Sequence, residues 1–249
     1  MKALAAALVV IAAAASPAAA ERLTIALSVS EVTIASNFAG APMTVFGVIA
    51  PDKGAKPAAD YQVAVIVLGP TESVIERRKD RLAGIWMNSA AVTIGGAPSY
   101  YALSTSAEPD VVADPDVVKR LQIGLDQLAV GIDDSSPDAA EFRSAYILLK
   151  EKAGLYSDQA AVRFLGPLIF RTGSFLPANV PVGRYTVIAY LFSGGNLVGH
   201  AQDYFVVTKS GAEGSIARFA RGEPLAYGIL CAGLALFVGW AGGVIFRRD

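Results

Sequence analysis

Val74 to Asn88 reads VIERRKDRLAGIWMN, with four cations, Arg77, Arg78, Lys79 and Arg81, leading straight into Gly84-Ile85-Trp86-Met87. If 74–87 is one extended strand, Ile75, Arg77, Lys79, Arg81, Ala83 and Ile85 share a face. Arg77, Lys79 and Arg81 then recur every ~6.8 Å along it. Such a row can meet anionic headgroups, an acidic protein surface or a small oxyanion. A plainer role is also open, because charge on an exposed strand blocks edge-to-edge pairing. Glu76 and Asp80 offset part of the charge, and Gly84-Ile85-Trp86-Met87 reads as a buried run.

Little else in the chain has the residue types that catalysis requires. His200 is the single histidine and Cys231 the single cysteine, which speaks against a multi-histidine metal site and against Ser-His-Asp chemistry. The sequence contains no G-x-S-x-G, P-loop or G-x-G-x-x-G pattern. Asp114-Asp116 and Asp133-Asp134 are acidic pairs that helix capping explains without calcium. His200 reads as a half-buried strand residue. No catalytic residue, metal or cofactor is expected. A net charge of −1 gives no electrostatic footprint for nucleic acid.

The two ends of the chain place these residues relative to a membrane. Residues 1–20 carry one cation, Lys2, then an apolar run from Ala3 to Ala15, then Ser16-Pro17 and Ala18-Ala19-Ala20. This is the order of a secretory signal with cleavage before Glu21. Leu225 to Phe246 is free of charge, and as a helix it would be about 33 Å long, enough to span a bilayer. Arg247-Arg248 follow at once and belong on the cytoplasmic side. The expected topology is single-pass type I in a bacterial inner membrane, with residues 21–208 in the periplasm, a linker over 209–224 and a cytoplasmic tail over 247–249. Arg218 and Arg221 flank Phe219 in that linker, which reads as a solvated tether. Within the span, Cys231, Ala235, Gly239 and Gly243 recur every four residues. Such a stripe of small side chains lets another helix approach, either a second copy or a multi-span protein.

The expected exported domain is mainly β, an immunoglobulin-like sandwich with a two-helix insertion at about 114–153. Segments 23–30, 32–38, 43–50, 61–69, 73–79, 82–87, 91–94 and 99–105 are rich in β-formers, with Gly95-Gly96 read as a turn. One helix is expected from Asp114-Pro115, with Val118, Leu121, Leu125 and Leu128 on one face and Gly131 closing it. A second opens at Ser136-Pro137-Asp138 and presents Phe142, Tyr146 and Leu149. Strands resume at 162–165 and 168–171. The last pair, 184–192 and its return to Val207, has a P-x-G-x-Y-x-V entry like the closing strands of immunoglobulin-like domains.

NFAGAPMTVFG, VIVLGP, ERRKDRLAGIWMN, FRSAYILLKEKAGLY, PANVPVGRY and the C-terminal GW-x₅-FRR occur in that order. Together they resemble an alphaproteobacterial family of transmembrane proteins of about 250 residues, over nearly the whole mature chain. The family has no established activity. Its members are encoded beside sulfite-exporter-type permeases, so the resemblance implies an accessory role to a transporter and supplies no catalytic residues. The expected function is that of a non-enzymatic, partner-binding subunit of such a transporter. The alternative is a periplasmic module for a small anion or an anionic surface, with Arg77, Lys79 and Arg81 as its contacts.

Overall fold

Alternating burial shows how the β domain is built. In β3 (Ala41–Ala50), Met43, Val45 and Ile49 are buried, while Pro42, Phe46, Val48 and Ala50 face outward. That period of two is the mark of a strand with one face on a core. The computed structural model describes residues 21–36, 38–51, 58, 60–82, 84–132, 138–209, 216 and 219–245. The signal-like segment 1–20, Ala83, Asp133-Asp134, Ser136-Pro137 and Arg247-Arg248 lie outside these described residues.

Two sheets stack face to face. One has the order β1 (Arg22–Leu27), β3, β10 (Ile169–Leu176), β9 (Arg163–Gly166). The other runs β2 (Glu31–Ile34), β12 (Asn196–Lys209), β11 (Gly183–Ser193), β4 (Gln62–Leu68), β7 (Tyr101–Thr105), β8 (Tyr156–Gln159). The core between them joins Met43, Val45, Ile49 and Phe170 to Val63, Val65, Val187, Leu191 and Phe205. The protein is thus mainly β, with one C-terminal apolar helix, α4 (Pro224–Ile245). β11 lies between β12 and β4, as its two apolar faces suggest, and buries Tyr185, Val187, Ala189 and Leu191. At its entry the Tyr185 hydroxyl donates to the Pro181 carbonyl at 2.7 Å.

Several local expectations change. Gly95-Gly96 is a bulge inside β6 (Ile85–Pro98), two residues facing Ser73 between the pairs Val74↔Ile94 and Glu72↔Ala97. Gly96 takes φ +69°, a conformation glycine adopts without a Cβ penalty. Gly131 ends no helix; it forms a two-way backbone bridge with Gly95 at 2.9 and 3.1 Å.

The first expected helix is broken. After the short α1 (Pro109–Val112), α2 (Pro115–Arg120) stops where Gln122 (φ +54°) and Gly124 (φ +103°) turn the chain, and a 3₁₀ turn follows at Leu125–Gln127. Ile123 and Val130 are buried as well as Val118, Leu125 and Leu128. One straight helix cannot turn all of these to a single side. Asp114 opens α2 through its carbonyl, with no side-chain cap.

The second helix is α3 (Ala139–Lys152), with Asp138 at its N-cap. Its inward positions are Phe142, Tyr146 and the stem of Lys150, spaced four apart, whereas Leu149 is 52% exposed. β8, which has no counterpart in the sequence reading, pairs parallel with β7.

Where the sheets meet, Gly47 of β3 faces the ring of Phe170, and a Cβ there would lie 2.0 Å from Cζ. Phe170 is fully buried, so Gly47→Ala is expected to destabilise the domain by about 1–3 kcal/mol through overpacking. Urea unfolding of the detergent-solubilised full chain measures this, and Phe170→Leu in the same chain should restore part of the loss.

Candidate functional site

The basic stretch lies on a long antiparallel ribbon formed by β5 (Thr71–Leu82) and β6. The ribbon grows directly out of the six-stranded sheet. The β4–β7 ladder ends at Leu68↔Tyr101, Gly69 N–H donates to Tyr100 O and Ser99 N–H donates to Pro70 O, each at 2.8 Å, and β5–β6 begins at Thr71↔Pro98. Strand pairing therefore continues from the core to Leu82↔Ile85, interrupted only by the β6 bulges at Gly95-Gly96 and Ser89. At ~3.4 Å per residue, β5 extends about 37 Å from root to tip.

Its direction follows from register. β4 and β12 flank β11 and both run antiparallel to it, so both finish beside the start of β11. From one of these ends the chain enters the ribbon; from the other it departs toward α4. The two exits are one strand apart, and a Cβ on Gly183, between them, would lie 2.9 Å from Pro70 Cγ.

The lower half of the ribbon rests on α3. Glu72 accepts hydrogen bonds from Tyr146 Oη (3.1 Å) and Lys150 Nζ, and the Lys150 ammonium stands 5.4 Å from the Tyr146 ring centroid. Tyr156 Oη donates to Pro98 O at 2.6 Å, while its ring meets that of Tyr146 edge-on. Farther out, Arg78 pairs with Glu141 (3.1 Å), Asp138 (3.5 Å) and Asp80 (3.4 Å). A two-stranded ribbon alone is marginal in water, so this backing supports it.

Beyond Arg78 the ribbon stands free. Ser89 is an extra residue in β6 and donates to the Arg78 carbonyl and the Asp80 carboxylate. The chain reverses between Leu82 and Ile85, where Gly84 takes φ +85°. The strand is therefore not continuous through 87. Ile75, Arg77, Lys79 and Arg81 do share the face turned away from α3, but Ile85 pairs with Leu82 and belongs to the opposite face. Trp86, opposite Arg81, joins the cations instead. Ile85, Trp86 and Met87, expected to be buried, are 70%, 67% and 49% exposed. Among the described residues no carboxylate pairs with Arg77, Lys79 or Arg81; Arg81 Nε reaches the Gly84 carbonyl at 3.4 Å.

The other candidates lie apart from the ribbon tip. His200 is exposed on β12 and lines a cavity of about 420 Å³ with Glu21 and Arg22. A second cavity, of about 440 Å³, gathers Asp126, Glu151 and Asp158; burial raises the Asp158 pKa, and a hydrogen bond from the Leu125 backbone partly opposes the shift. Cys231, Ala235, Gly239 and Gly243 are exposed on α4, and a Cβ on either glycine would meet open space. The linker is not wholly irregular, because residues 219–222 are helical and Phe219 packs edge-on against Tyr227.

The family model described as Putative transmembrane protein (Alph_Pro_TM) matches residues 22–248. The chain belongs to this family. The match takes in the sandwich, the ribbon and α4 together, so the Alph_Pro_TM description and the exposed apolar helix agree that this is a membrane protein. No curated protein matches the chain.

The signal for the exposed tip was present but ambiguous: Ala83-Gly84 sits between two alternating arms, as hairpin turns do. The tyrosine–glutamate–lysine seam could not be read this way, because its members are about 75 residues apart and meet only in the fold.

Two outcomes test the seam. Glu72→Ala leaves the largely buried Lys150 ammonium without its carboxylate and should cost roughly 1–3 kcal/mol in urea unfolding. Burial lifts the Tyr156 phenol to about 12 and raises Tyr146 as well. These phenols ionise more readily in the unfolded chain. Their stabilising contribution is therefore whole below pH ~10 and is lost as pH rises through about 12. Phenolate absorbance followed together with circular dichroism should show the tyrosines ionising as the seam opens.

Proposed function

We propose that this is a non-enzymatic protein of the bacterial inner membrane that acts as a partner-binding, accessory subunit of an integral membrane transporter. In this reading the signal is removed, residues 21–208 lie in the periplasm and the C-terminus is cytoplasmic. Arg247-Arg248 beside the span support that orientation. The domain is read as immunoglobulin-like, supported by the Tyr185–Pro181 hydrogen bond at the entry to the closing strand pair, which has the form of a tyrosine corner.

The observation that carries the reading is the ribbon. It projects an exposed apolar tip from the end of the sheet where the chain departs for its anchor. Exposed apolar clusters rimmed by charge mark interaction surfaces. The span offers a second contact, since the stripe of Cys231, Ala235, Gly239 and Gly243 is open to another helix. That helix can come from a multi-span transporter of the sulfite-exporter type, which the family resemblance suggests, or from a second copy. The alternative of a small-anion module is weaker. Arg77, Lys79 and Arg81 stand on an open strand face, without the enclosure that selects a small ion.

Purification of the tagged full chain from native membranes in mild detergent tests this. A multi-span protein should co-purify, and Gly239→Ile/Gly243→Ile should reduce its recovery about tenfold, since bulky side chains prevent close helix approach. If no membrane partner is recovered, and the variant matches the native chain in oligomeric state, the reading fails.

A further inference from the structure

We propose that the tip of the β5–β6 ribbon seats in the headgroup layer of an anionic bilayer, so that the ribbon is a strut between the β domain and the membrane holding its anchor. The inference rests on the membrane-facing placement proposed above, and needs no transporter.

Length is the first support. The ribbon reaches about 37 Å from its root. Beside that root the tether begins: residues 210–218 span at most about 32 Å when extended, and the helical turn leading into α4 adds roughly 7 Å. A strut that continues the sheet, and is about as long as the neighbouring segment can extend, is long enough to reach the bilayer that holds α4.

Chemistry is the second. Trp86 shares a face with Arg77, Lys79 and Arg81, and it is two-thirds exposed. An indole resides well at the membrane interface, where the ring is in apolar surroundings and the N–H stays wet. Ile85 and Met87 supply apolar area on the opposite face of the tip, while Arg81 lies level with Trp86, and Lys79 and Arg77 follow behind it on β5, at headgroup depth. Their long stems let the charges remain among phosphates while the tip goes deeper. Arg78, the cation on the other face, is already taken by Glu141, Asp138 and Asp80. The free positive charge is thus confined to the face that carries the tryptophan.

The chain has two tryptophans, Trp86 and Trp240, so full-length protein carrying Trp240→Phe reports on the tip alone. It is reconstituted into vesicles of phosphatidylcholine with or without phosphatidylglycerol, some brominated near the top of the acyl chains. With phosphatidylglycerol, Trp86 emission should shift to the blue and lose about half its intensity to the brominated lipid, as an interfacial side chain does. Both effects should fade in ~1 M salt, where screening acts within about 3 Å, and in the Arg77→Glu/Lys79→Glu/Arg81→Glu variant, with circular dichroism confirming that it folds. Emission that stays red and open to aqueous iodide in anionic vesicles overturns the proposal. So does shielding from iodide without quenching by brominated lipid, which would place the tip against protein. Neither result depends on whether a transporter co-purifies.

Discussion

The joint at Gly69-Pro70 and Ser99-Tyr100 is the constraint on which the rest of the molecule depends. There the paired strands pass from the six-stranded sheet directly into the ribbon, held by the Gly69 N–H to Tyr100 O and Ser99 N–H to Pro70 O hydrogen bonds. A Cβ on Gly69 would come within 2.8–2.9 Å of Ser99 Oγ, Tyr100 N and Tyr100 Cβ, so the strands approach closely only because that residue is glycine. Tyr100 ties the joint to the opposite sheet, its hydroxyl reaching Ser174 Oγ at 2.9 Å and Phe175 O at 3.1 Å. Its ring also lies edge-on against Tyr185. Register, once set in the core, is carried outward and shifts only at the two β6 bulges, since a slip of one residue would turn every side chain to the other face.

The ribbon consequently has two halves of different character. Near the joint its inner face rests on α3 through Glu72, Tyr146, Lys150 and Tyr156, so burial and hydrogen bonding act together. Farther out, the charged clasp around Arg78 is solvent-exposed, and such pairs contribute little to stability. They serve mainly to orient. Ile85, Trp86 and Met87 are exposed and bury little in the fold, and exposed apolar clusters rimmed by charge mark interaction surfaces.

Much of the architecture was legible in the residues. β3 and β11 announce themselves by alternation and β4 by a continuous apolar run, because each buries one face or both against close neighbours. The anchor is equally plain: expected at 225–246, it is a helix over Pro224–Ile245, since length and charge alone decide a span. The apolar set Val118, Leu125 and Leu128 was correctly read as inward, but not the shape that carries it. Positive φ at Gln122 and Gly124 is a backbone outcome of burying Ile123 and Val130 as well, which a one-face pattern does not encode. β8 escaped notice because Tyr156–Gln159 is short and mostly polar; it is a strand by virtue of pairing with β7.

By itself the sequence determined a β-rich chain ending in one apolar helix, and a row of cations alternating along a strand. Those follow from periodicity, composition and charge, which are local. Tertiary structure decided what the row belongs to. Reversal at Gly84 puts Trp86 beside the cations and leaves Ile85, Trp86 and Met87 in solvent, and the continued ladder carries them away from the core. An apolar run looks the same in sequence whether it ends inside a protein or beyond it. The difference lies in which distant residues pack against it, and at this tip none of the described residues does so closely enough to bury it.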